Sequence, residues 1–246
     1  MPARNSHEEI PTRVSAAIEA SIKEATEVQL SIPPELDPER PDPLYPISQR
    51  FLTLLPVGVD HTGSVFRADL MRRGRGLSPT SSDEEIETFL LLVNAWGFGS
   101  SGYGPWRTQQ VLDSERFFPS ARRALEILHS DSSDAALSAY FHLNNKAHGR
   151  VPWWGPAFFT KFLTFADPAN SVERVERQGA LILDRWMATA VRRVTDQTSF
   201  PTGGWTTPQY AYYLTLMSRL CESSELPDAM TPLDAERAIF AMYTGR

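Results

Sequence analysis

The residues best placed to do chemistry lie between Phe141 and Met187. Phe141-His142-Leu143, then Asn144 to Arg150, then Val151-Pro152-Trp153-Trp154-Gly155-Pro156 through Leu163 read as a helix, a short turn and a second helix that opens just after Gly155. The first N–H groups of a helix have no partners within it and the helix dipole is positive there, so such a turn can hold a phosphate. Any helix start with a glycine shares this property, so the pattern is weakly specific on its own. About twenty residues further on, Leu181-Ile182-Leu183-Asp184-Arg185-Trp186-Met187 is an apolar run that delivers one carboxylate to the start of another helix. Asp184 there is an ordinary N-cap, and as a desolvated carboxylate it can also stabilise a cation or orient a water. The two roles are compatible. His142 and His148 flank the turn without a nearby cysteine, a His-x3-His spacing or a paired Glu, so no metal site is expected; His142 reads as core and His148 as loop.

The elements that must position these groups are helical. Ser82 with Glu85 forms a capping box ahead of Ile86, Phe89, Leu90 and Val93, a helical period that Gly97 is expected to stop. Gly97, Gly99, Gly102 and Gly104 then predict a tight aromatic loop from Trp96 to Trp106, which matches neither a dinucleotide nor a P-loop fingerprint. Further helices are expected at about 119–129, 134–144, 156–166, 181–195, 207–222 and 231–243, with Thr207-Pro208 and Thr231-Pro232 as N-cap and first-turn pairs. Phe51 to Leu55 suits a short strand or buried run, and 74–76 a loop. Residues 1–46 read as an N-terminal arm, helical or loosely ordered to about residue 30, joined by a proline-rich linker or surface strap, and 47–246 as one helical domain. No Gly-x-Ser-x-Gly elbow supports an α/β-hydrolase.

Composition narrows the class. Hydrophobic residues at 41% and aromatics at 11% of 246 residues are enough to build a core, which excludes wholesale disorder. The single cysteine, Cys221, excludes an internal disulfide, a four-cysteine iron–sulfur cluster and a cysteine-based structural zinc. With no apolar leader and no long apolar run, a cytoplasmic protein away from the membrane is expected. The formal charge of −6 weighs against strong non-specific duplex binding but leaves room for a local basic face, since arginines cluster at 67–75, 107–123 and 174–193.

The turn entering a helix, followed by an apolar run that ends in Asp at a helix start, resembles the helix-hairpin-helix (HhH-GPD) DNA glycosylase superfamily. The nearest branch is that of bacterial proteins with an 8-oxoguanine DNA glycosylase fold. The resemblance covers residues 136 to about 195 and, more loosely, the helices from 83 onward. It implies a mainly α fold in which Pro152, Trp153, Trp154 and Gly155 form the hairpin that grips the DNA backbone, a flipped nucleotide is bound, and Asp184 stabilises the sugar cation as the N-glycosidic bond breaks. Trp153 stands where the family hairpin has its first glycine, and its bulk would impede close approach of a phosphate. The Schiff-base lysine of the branch falls on Ala157. Lys161 lies one turn later on the same helical face and reads first as a surface lysine snorkelling along the helix; only if it reaches the pocket does it become a catalytic amine.

Phe158 and Trp186, with Trp153, Trp154 and Phe159, are candidates to sandwich a flipped base, although most are expected to be packing. Convergence of Arg150, Lys146, Lys161 and Arg185 on Asp184 would favour nucleic acid. The sequence therefore predicts a base-excision glycosylase that needs no cofactor and takes DNA as partner, monofunctional with water as nucleophile if Lys161 does not reach. The alternative is a non-catalytic DNA-binding or protein-interaction module on a degenerate glycosylase fold. A helical scaffold acting on a nucleotide outside repair is a third reading.

Overall fold

Helix α4 (Asp83–Phe98) starts at the predicted capping box: the Ser82 hydroxyl accepts from the Glu85 amide at 3.2 Å and the Glu85 carboxylate accepts from the Ser82 amide at 2.7 Å. From Phe89 to Trp96 every residue is buried, which marks a central rather than a surface helix. Its partner at the centre is α8 (Pro156–Ala166), buried without interruption from Phe159 to Ala166. Edge-to-face contacts join the two, Phe89 on Phe162 at 5.3 Å and Trp96 on Phe165 at 5.2 Å between ring centroids.

The computed structural model describes residues 10–31, 45–56, 63–170, 177–222 and 230–244, and eleven α-helices lie among them. Around the central pair stand α3 (Arg67–Gly74), α5 (Gly104–Leu112), α6 (Phe117–Leu128) and α7 (Ala135–Asn144). Helices α9 (Arg185–Thr195), α10 (Thr207–Cys221) and α11 (Pro232–Thr244) pack as a second group, with α1 (Thr12–Glu27) laid along α10. The chain is completed by α2 (Gln49–Leu52) and two antiparallel two-residue strands, β1 (Tyr45–Pro46) and β2 (Ser64–Val65). The expectation of a mainly α protein holds. Most of the proline-rich segment, at 32–44, lies outside the described residues, as does Arg174.

Several boundaries differ from the sequence reading. Gly97 does not stop α4; the helix runs on to Phe98, and the terminator is Gly99 at φ 55°, a left-handed value that glycine adopts without a Cβ clash. The loop expected up to Trp106 is half helix, because Pro105 in the first turn starts α5 at Gly104. Thr206, not Thr207, caps α10, in a capping box with Gln209. The helix expected from residue 181 begins only at Arg185, since the backbone of 181–183 is engaged by side chains of other elements.

Helix α3 meets α8 so closely that a Cβ on Gly74 would fall 1.7 Å from the backbone oxygen of Phe165, which only a backbone shift could relieve. Gly74→Ala is therefore expected to lower unfolding free energy by about 2–3 kcal/mol, read by urea denaturation. Gly203→Ala, where a Cβ meets nothing within 4 Å, should stay within about 0.5 kcal/mol.

Candidate active site

Asp184 ends an extended run, 180–184, that threads the interior with its backbone satisfied by side chains. The Ala180 amide donates to the Asp167 carboxylate at 2.7 Å, and the Ala180 carbonyl accepts from Asn170 at 2.7 Å. Tyr210 of α10 both accepts from the Leu181 amide and donates to its carbonyl. The Ile182 amide donates to Glu236 of α11, and Tyr213 donates to the Ile182 carbonyl at 2.8 Å. The Leu183 amide donates to the Thr160 hydroxyl of α8 at 3.2 Å. Glu236 and Asp167 are themselves held by buried guanidiniums, Arg67 at 2.6 Å and Arg177 at 2.7 Å. An extended strand without a neighbouring strand would otherwise bury orphaned amides, each costing about 1–3 kcal/mol.

This frame delivers the Asp184 carboxylate to two tasks. Oδ1 accepts from the Trp186 and Met187 amides at 2.9 and 3.2 Å, the N-cap of α9. Oδ2 accepts from Lys161 Nζ at 2.8 Å, with the two side chains only 11% and 5% exposed. The surface position expected for Lys161 is thus overturned: α8 is buried on all sides at that point, so the lysine stem has no solvent to snorkel into. Its Nζ also donates to the Ala157 carbonyl at 2.8 Å, which places the amine beside the backbone of the residue where the family lysine was sought. Gly97 makes room for the stem, since a Cβ there would sit 3.0 Å from Lys161 Cδ. Burial taken alone raises the Asp184 carboxyl, but the Lys161 ammonium and the two amides outweigh it and hold the group below the usual carboxylate range.

The loop of residues 145–155, which contains the turn at 152–155, joins α7 to α8. Gly149 crosses the His142 ring so closely that a Cβ would lie 2.1 Å from Nε2, and the Arg116 guanidinium donates to the carbonyls of Lys146 and His148. His142 is buried and His148 partly so. Trp153 adopts φ 66°, a left-handed conformation natural to glycine, at a cost of about 1–2 kcal/mol. Its carbonyl accepts from Arg107 Nε at 2.7 Å. Arg107, Arg150, Asn144, Pro152, Trp153 and Gly155 are among the residues lining a concavity of about 170 Å³ at the start of α8. Two guanidiniums beside a helix N-terminus suit a phosphate-sized anion. In the sequence Arg107 is only one member of the 107–123 arginine cluster, and its position one turn after Tyr103 carries no motif.

The aromatic set divides. Trp154 and Phe159 are core, as expected of most of the set. Phe158 is half-buried with Phe98 stacked on it at 4.2 Å and the Arg107 guanidinium 4.8 Å from its centroid, so its ring is already in use. Trp153 and Trp186 are instead exposed, at 49% and 41%. Arg185 is exposed with its guanidinium 5.2 Å from the Trp186 ring, and Arg150 and Lys146 are exposed on the hairpin. Of the four cations proposed to converge on Asp184, Lys161 alone is bonded to it. Among the described residues no group of three His, Cys, Asp or Glu is placed to hold a metal, and no helix is long and apolar enough to cross a membrane.

The described residues form a helical body with almost no strand, an all-α, glycosylase-like fold in keeping with the family match. The chain belongs to the family described as "Putative 8-oxoguanine DNA glycosylase OGG-like protein", whose model matches residues 36–240. No curated protein and no solved structure matches it.

Removing one member of a desolvated ion pair strands the other. Asp184→Ala is expected to cost about 3–5 kcal/mol, and Lys161→Met in the same chain to recover part of it, both read by chemical denaturation. Because the Asp184 carboxyl is depressed in the folded state, its stabilisation is complete above its unfolded value near 3.8 and is lost as pH falls through the lower folded value. Wild-type stability should therefore drop between about pH 5 and pH 2 more steeply than that of Asp184→Asn, compared by thermal unfolding across that range.

Proposed function

We propose that this protein is a DNA N-glycosylase that excises a damaged or modified base, with Asp184 and Lys161 as its catalytic pair and the 152–155 hairpin as its grip on the strand. The observation that carries the reading is the 2.8 Å contact between Lys161 Nζ and Asp184 Oδ2 at a buried position. A scaffold kept only for binding gains little from such a pair, because replacing a buried ion pair with apolar residues is often neutral or stabilising. Membership of the glycosylase-like family supports DNA as the substrate.

In this reading the target nucleotide leaves the stack so that its C1′ can reach the pair, and Asp184 stabilises the positive charge that develops on the sugar as the bond to the base lengthens. Water as the nucleophile was the expectation for a lysine on the surface; the burial of Lys161 against Asp184 favours the amine instead. Lys161 Nζ, having passed a proton to the base, forms the new bond to C1′ while the base departs as the neutral species with the electron pair of the broken bond. Transfer of a second amine proton to O4′ breaks the C1′–O4′ bond and gives a protonated imine, and loss of the C2′ proton to solvent then expels the 3′ phosphate with the electron pair of its C–O bond. Arg107 and Arg150 at the start of α8 would neutralise the phosphate held in the hairpin concavity.

The test is single-turnover incubation with duplexes carrying 8-oxoguanine, uracil, hypoxanthine or hydroxymethylated bases, scored for abasic sites with and without alkali and for a covalent adduct trapped by borohydride. Excision of one of these bases is expected, with Asp184→Asn about 10²–10³-fold slower and with no trapped adduct in Lys161→Gln. Excision that needs alkali for cleavage and survives Lys161→Gln would return water to the role of nucleophile. No product on any substrate would leave the non-catalytic module as the better reading.

A further inference from the structure

Outside the buried pair, the least ordinary feature of the surface is a run of three large aromatics that the core does not absorb. Tyr103 and Trp106, 49% and 47% exposed, stand on one face at the start of α5, and Trp153, 49% exposed, meets them from the hairpin. Tyr103 and Trp106 lie 5.3 Å apart and Trp106 and Trp153 5.2 Å apart between centroids, so the three rings form one continuous patch contributed by two separate segments. Contiguous exposed aromatics of this kind mark a binding surface. Trp153 is held there despite a left-handed backbone that would suit glycine better.

Charge and position decide the occupant. Arg107 anchors the hairpin through the Trp153 carbonyl, and Arg107 and Arg150 line the concavity that also contains Trp153, so the rings continue directly from a cationic, phosphate-sized hollow. Alternating positive charge for the backbone and open rings for the bases is the chemistry by which single-stranded nucleic acid is held. Stacking on rings also supplies affinity that does not depend on net charge, which suits a chain of formal charge −6.

We propose that Tyr103, Trp106 and Trp153 form a stacking platform for unpaired bases of a DNA strand running out of the hairpin, so that the protein prefers single-stranded or locally opened DNA over intact duplex. The inference rests on the nucleic-acid reading above and goes beyond it in naming the form of DNA bound.

The test uses the full chain and fluorescence anisotropy with a labelled 12-nucleotide single strand, and the duplex of the same sequence, at two salt concentrations. The single strand should bind more tightly, and Trp106→Ala and Tyr103→Ala should each weaken it by about tenfold while changing duplex affinity by less than about threefold and leaving the salt slope unaltered. Both side chains are about half exposed, so an unchanged Tm in either variant would show that lost binding is not lost folding. Equal losses on both DNA forms, or none, would overturn the platform while leaving the glycosylase reading intact. Absence of binding to either form would overturn both. Sedimentation showing a dimer that Trp106→Ala abolishes would assign the rings to a second copy of the chain instead of to bases.

Discussion

The structure depends on keeping an ammonium and a carboxylate together away from water. Desolvating either ion costs several kcal/mol, and their attraction offsets this only when the geometry is fixed and the remaining lone pairs and protons are satisfied. The fold meets that demand from both sides. Lys161 sits on a helix buried all round, with its stem against Gly97 and its head on the Ala157 carbonyl; Asp184 sits at the end of a run whose amides and carbonyls are taken up by Asp167, Asn170, Tyr210, Tyr213, Glu236 and Thr160. Two further buried ion pairs, Arg67 with Glu236 and Arg177 with Asp167, stand behind that run, so the outer helices α3 and α11 take part in aiming one carboxylate.

The hairpin is built on the opposite principle. It is pinned from within, by Gly149 over His142 and by the guanidiniums of Arg107 and Arg116 on its carbonyls, and presents its outer side chains to solvent. A rigid loop with exposed rings and cations can meet a flexible polymer without itself paying much ordering entropy. The division between a dry interior pair and a wet aromatic rim is what the proposed glycosylase would need.

The local signals were legible where the chemistry is local. The Ser82 and Glu85 capping box, Asp184 as an N-cap and the start of α8 after Gly155 all follow from neighbours in sequence. Lys161 was not legible in the same way. Its apolar neighbours fit a half-exposed helix as well as a buried one, and only the packing of α3, α4, α6 and α7 around α8 closes off its solvent. The late start of α9 has the same origin, because Leu181 and Leu183 are good helix formers overridden by hydroxyl and carboxylate partners that the run 181–183 finds on α8, α10 and α11. The exposure of Trp153 and Trp186, and the part played by Arg107, are likewise decided by contacts across the fold that no spacing encodes.

One feature at the far side of the molecule bears on what counts as a unit. The family match begins at residue 36, yet α1, at 12–27, lies along α10 with Ile18 and Ala25 buried, and Arg219 of α10 donates to the carbonyls of Ala25 and Val28 at 2.5 and 2.8 Å. The Ser31 amide reaches the last turn of α9, on the Val194 carbonyl at 2.8 Å. The edge of the matched residues and the edge of the packed helices are therefore different places. Helix α1 packs on α10, whose Tyr210 and Tyr213 hold the run that ends at Asp184, so a segment outside the matched residues is part of the body that positions the carboxylate.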